Sequence, residues 1–186
     1  MSPQPQIIPC DDPRYPARLR QRRGTDAPAE LAALGNLDLL SQPMTALFCS
    51  ARCPGNVILH AYDQAAQWRD AGHCVISGFR SPVEKECLRI LLRGSQPIII
   101  CPARGIPRRI PPEWRKPLAD GRLLILSFFP DKETRVTADL AARRNELVAA
   151  LADEVFIPHA TAGGQLQSLF QTIQHWSDRP AIIHNS

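Results

Sequence analysis

"RRNELVAALADEVFIPHATAGG", residues 143–164, joins a helix-like pattern to a strand-like run and closes on a glycine pair. Its first part repeats alanine and leucine at helical spacing, and "EVFIPH" (154–159) is an apolar run of strand length. The glycines then open a second helical pattern, "GQLQSLFQTIQHW" (164–176). Helix, strand, loop and helix in close succession form the repeating unit of a parallel sheet. The arginines and asparagine at 143–145 read as the head, or entry, of the first helix.

The same unit recurs through the chain after residue 43. Apolar strands are predicted at "TALFCS" (45–50), "HCVIS" (73–77), "PIIIC" (97–101), "RLLILS" (122–127) and "PAIIH" (180–184). Helices are predicted at 57–72 and 82–94, and within 135–153, with Pro82 and Gly72 as start and stop signals. Strands this continuously apolar are buried on both faces. The expected fold is therefore α/β: a doubly wound, mostly parallel, Rossmann-like sheet of about six strands with helices on both faces. Residues 1–43, rich in proline and arginine, read as an N-terminal extension packed on a core domain of 44–186, with a short helix in "DDPRYPARLRQ" and a short apolar segment in "PAELAALGNLDLL". The stretch 104–117 reads as a loop with at most a short helix.

A length of 186 residues suits one core. The sequence shows neither an apolar run of membrane-spanning length nor a charged-then-apolar leader, so a cytoplasmic location without membrane partners is expected. The six cysteines form no CxxC pair and read as reduced, structural thiols rather than zinc ligands or disulfides. Net charge is +4, and only three of the 22 basic residues are lysine. Arginine suits phosphate and carboxylate contacts, but a GC-rich genome gives the same bias, so charge alone leaves the partner open.

On such a sheet the loops after each strand share one rim, where ligands bind. They are "SARCPGN" (50–56), "SGFRSP" (77–82), "CPARGIP" (101–107), "SFFPDKE" (127–133) and "HATAGGQ" (159–165). They hold the serines, glycines and arginines that bind phosphate through backbone N–H groups, hydroxyls and guanidinium forks. Acids are scarce, with Asp131 and Glu133 the main exceptions. No catalytic triad or paired carboxylates assemble. The dinucleotide fingerprint and the P-loop are both absent, so no cofactor is expected. Each feature also has an ordinary reading: Gly78 as a turn residue, Arg52 as a solvated side chain, Gly163–Gly164 as a helix start.

Several of these stretches, taken in order, resemble the Rossmann-like core of the DNA-processing protein A (DprA/Smf) family. "YPARLRQ" (15–21) and "DAPAELAALGN" (26–36) are similar to that family's opening pattern, "CSAR" (49–52) to its "GSR" loop, "VISGF" (75–79) to "VSGLARGID" and "LSFFP" (126–130) to "LSEYP". "RNELVAALADEVFIPHATAGG" resembles its "RNRIIAGLSDAVLVVEA…SG". The resemblance implies a single-stranded DNA binder acting in natural transformation, with a RecA-type recombinase and a second copy of itself as protein partners. By position it assigns phosphate binding to Ser50, Arg52, Ser77, Gly78, Arg144, Asn145, Gly163 and Gly164, to which the basic rim adds Arg80. The chain departs from the pattern at "RSPVE" (80–84), where arginine is displaced and Glu84 stands for aspartate, at Leu88 for a histidine, at Glu146 for an arginine and at Pro158–His159 for "VE". Relatives that hydrolyse nucleotides carry "PGGxGTxxE"; "TAGGQLQSLFQ" (161–171) lacks that glutamate, so no enzymatic activity is expected. The alternative expectation is a sensor or carrier of a nucleotide-derived small molecule in the same crevice.

Overall fold

Strands that are apolar throughout need helices on both sides, and the sheet supplies exactly two such faces by the alternation of its side chains. The computed structural model describes residues 4–129 and 135–183. Asp131, Glu133 and the end of the last expected strand, His184, lie outside them. The strands are β1 (Gln6–Pro9), β2 (Glu30–Gly35), β3 (Met44–Leu47), β4 (Cys74–Ser77), β5 (Ile98–Ile100), β6 (Leu123–Ser127), β7 (Glu154–Phe156) and β8 (Ala181–Ile183). The helices are α1 (Ala17–Arg23), α2 (Gly55–Ala71), α3 (Pro82–Leu92), α4 (Pro112–Ala119), α5 (Ala138–Leu151) and α6 (Gln165–Gln174).

The sheet order is β1-β2-β6-β5-β4-β3-β7-β8, with β6 through β8 parallel throughout. Ile76, Ile99, Leu124 and Leu126 face one core with α1, α5 and α6. Their neighbours Val75, Ile98, Ile100 and Leu123 face the other with α2, α3 and α4. The doubly wound α/β expectation holds.

Two expectations change. Among the described residues the sheet has eight strands, not about six, because the N-terminal region adds β1 and β2 antiparallel to the outer edge of β6. "ELAALG" is alanine-rich and weak in β propensity, and its pairing with β6 joins residues some ninety positions apart, such as Ala33 and Leu126. The stretch 104–117 ends in a short helix, α4, which runs on to Ala119, as the sequence reading allowed. Arg144 and Asn145 do not head α5: that helix starts at Ala138, capped by the Thr137 side chain on the Leu140 amide, and the pair sits mid-helix.

Candidate nucleic-acid interface

At β3 the winding reverses. The chain steps from β3 through β4 and β5 to β6 in one direction, then returns on α5 to place β7 on the other side of β3. The helices after β3 and β7 leave toward opposite faces, α2 in one core and α6 in the other. A crevice therefore opens beyond the carboxyl ends of the central strands. It has a volume of about 490 Å³ and is lined by the β3–α2 loop, the start of α3, the middle of α5 and the β7–α6 loop. Ser50, Arg52, Arg80, Arg144, Asn145 and Gly164 are on its wall. Ser77, Gly78 and Gly163 are not among its lining residues.

Ser50 ties the two flanking loops together. Its amide donates to the His159 carbonyl at 3.1 Å, and its hydroxyl accepts from the Thr161 amide at 2.9 Å. Ser77 lies beneath, fully buried, donating to the Leu47 carbonyl at 2.7 Å and accepting from the Phe79 amide at 3.0 Å. The turn above it holds Phe79 at φ +47°, a left-handed conformation unusual outside glycine. This sends the Phe79 ring into the core and leaves Arg80 exposed.

Arg144 is only 4% exposed. Its Nη1 donates to the Cys101 carbonyl at 2.9 Å and its Nε to Asn145 Oδ1 at 2.8 Å. Burial lowers its pKa, and the nearby Glu84 carboxylate pushes the other way. The guanidinium lies so close over Gly78 that a Cβ there would come within 1.3 Å of Nη1. Burial also raises the thiols of Cys49, on the wall, and Cys101 beneath it. On the far side Gly163 turns the chain at φ +70° and Gly164 begins α6.

Glu84, read from the sequence only as standing for an aspartate, has a role in the cleft that the sequence reading passed over. It is 6% exposed, and its carboxylate accepts three backbone amides: Cys49 at 2.9 Å, Arg80 at 2.7 Å and Ser81 at 3.1 Å. The expectation of a rim where acids are scarce, with Asp131 and Glu133 the main exceptions, thus gains a further exception, because an internal carboxylate takes three of the amides that could meet a phosphate. The sequence signal was present: "SPVE" (81–84) is a capping box, with the Ser81 hydroxyl accepting the Glu84 amide in return. Even so, the lining holds three guanidinium groups against one carboxylate, a net charge of +2.

The charge extends along the described part of that edge. Among the described residues, the loops 49–54, 78–81, 101–111, 128–129 with 135–137, and 157–164 contain six arginines and no Asp or Glu. Those arginines, Arg52, Arg80, Arg104, Arg108, Arg109 and Arg135, are all exposed. The ion pairs of the described residues use other cations, such as Arg18, Arg22, Arg23 and Arg69.

A family model for DNA recombination-mediator protein A matches residues 6–176. DNA processing protein A (DprA) from Streptococcus pneumoniae is similar in structure, with a TM-score of 0.74 and 19% identity over 96% of this chain. The chain spans 62% of that protein. DNA processing protein A from Helicobacter pylori, a protein with a described single-stranded DNA binding mode, gives a TM-score of 0.76 and 20% identity over 98% of this chain and 82% of its own. A molybdenum cofactor binding protein from Rippkaea orientalis shares the fold more distantly, with a TM-score of 0.53 and 11% identity over 78% of each chain. No curated protein matches the chain.

Proposed function

Since the chain belongs to the DNA recombination-mediator protein A family, as the match over residues 6–176 shows, we propose that it binds single-stranded DNA along the carboxyl edge of its sheet. The observation that carries this reading is the segregation of charge: six exposed arginines without an acid in the described loops of that edge. A polyanion meets guanidinium groups there that no ion pair among the described residues neutralises. Arg52 and Arg80 reach the backbone phosphates. Ser50 and Asn145 offer polar contacts on the same wall, and Arg144 supplies charge from below while bracing the floor. The roles of Ser77, Gly78, Gly163 and Gly164 are to shape the loops on which those groups stand.

The site binds and does not break bonds. The helix that would carry a hydrolytic glutamate, α6, has no acidic residue in its sequence, "QLQSLFQTIQ". A RecA-type recombinase and a second copy of the chain complete the reading as partners of the DNA-bound protein.

Fluorescence anisotropy with oligo(dT) over a salt series tests it. Binding should weaken steeply with salt, at about 0.7 in log–log slope per phosphate contact. The double variant Arg52→Ala, Arg80→Ala should lower that slope by roughly 1.4, two contacts' worth. Salt-independent binding, or a variant indistinguishable from wild type, would refute the proposal. Thermal stabilisation by a mononucleotide with no response to oligo(dT) would point instead to a small-molecule carrier.

A further inference from the structure

The β3–α2 loop carries two cysteines, Cys49 and Cys53, whose Sγ atoms lie 3.9 Å apart. Between them stand Ser50, Ala51 and Arg52, all on the cleft wall, as is Cys49 itself. Both thiols are free. Cys49 is 3% exposed and fixed through its amide to Glu84, whereas Cys53 is half-buried and reachable from solvent. Burial keeps the Cys49 thiol protonated, so Cys53 is the sulfur that meets an oxidant first.

We propose that Cys49 and Cys53 form an oxidation-sensitive pair that peroxide converts to a disulfide, contracting the loop that carries Arg52 and weakening DNA binding. In the first step the Cys53 sulfur attacks hydrogen peroxide: an S–O bond forms, the O–O bond breaks, and the thiol proton leaves with the departing oxygen as water. In the second, the Cys49 sulfur displaces the hydroxyl of the Cys53 sulfenic acid. The S–S bond forms, the S–O bond breaks, and the Cys49 proton leaves in a second water. Two thiols are oxidised and one peroxide is reduced to two waters.

A disulfide is only about 2.0 Å long, so the sulfurs must close about half of the 3.9 Å between them. Glu84 and β3 anchor Cys49, and the movement therefore falls on Cys53 and the three residues between. Arg52 is drawn out of the position from which it faces the cleft. The pairing itself needs no DNA; only its effect on binding rests on the function proposed above.

The test uses the full chain in a Cys10→Ser background, which removes the exposed thiol. After peroxide treatment, free thiols are alkylated and peptides mapped by mass. A Cys49–Cys53 linked peptide that dithiothreitol opens is expected. Oligo(dT) affinity should fall by about tenfold, the equivalent of one strong contact, and return on reduction. Adding Cys53→Ser should abolish the response to peroxide. Peroxide-treated protein in which Cys49 still alkylates would overturn the pair. A linked pair with unchanged affinity, or a Cys53→Ser protein that responds like its parent, would overturn the effect on binding. If reduced protein binds no oligo(dT), the DNA reading fails and takes that effect with it, while the mapped peptide still decides the pairing.

Discussion

Gly78 is where the floor of the cleft admits no side chain, since the Arg144 guanidinium lies against its backbone. The sequence marked both residues as phosphate ligands, by resemblance. What it could not show is that they act on each other, because an arginine on α5 reaching the loop after β4 is a product of tertiary packing alone. Gly78→Ala should displace Arg144 from the Cys101 carbonyl and leave that buried acceptor unpaired, which costs about 2 kcal/mol. For a chain of this length a fall in Tm of roughly 4–8 °C follows. Gly163→Ala is the control. Nothing lies near its Cβ position, and only the left-handed backbone at φ +70° is strained, for about 1 kcal/mol. Thermal unfolding of the two proteins side by side would settle the matter, and equal losses would argue against the bracing role of Arg144.

The elements meet the site through caps and loops more than through their interiors. Helix α3 begins with a capping box at Ser81 and Glu84, a local signature readable in four letters. The same carboxylate also takes the Cys49 amide from 35 residues away, and no local pattern announces that bond. This also explains why the central strands and helices were legible while the site's polarity was not. Apolar periodicity encodes the elements, whereas the occupant of a loop's amides depends on which loops meet. Glu84 consequently serves the fold at the expense of anion binding. Glu84→Gln keeps the shape but removes a charge and an acceptor, so stability should fall by about 2 kcal/mol. The same change raises the cleft from +2 to +3, so oligo(dT) should bind more tightly at low salt. Opposite movements of denaturation midpoint and affinity are the expected outcome; a parallel loss of both would show that the carboxylate organises the binding loops themselves.

At the scale of the whole molecule, the N-terminal region is bound into the sheet on one side and into α5 on another. β2 covers the edge of β6, which would otherwise present open backbone groups. Arg18 and Arg22 of α1 donate to the Leu151, Ala150 and Ala152 carbonyls at the end of α5, the terminus where a cation is favoured. Arg18 also pairs with Asp153 at 2.8 Å, just before β7. This was the least legible part of the fold, because a four-residue strand, an alanine-rich one and arginines with distant carbonyl partners leave no periodic trace. Helix α5 carries Arg144 into the cleft, so the stability of the site depends on a clamp at the opposite end of that helix. Deleting residues 1–36 should therefore do more than trim the surface. It exposes the β6 edge, uncaps α5, and should convert a cooperative urea transition into a broad one with visible aggregation by size-exclusion chromatography. A truncated chain that unfolds cooperatively at the full-length midpoint would show instead that the parallel strands and their helices hold the cleft without help from β1, β2 and α1.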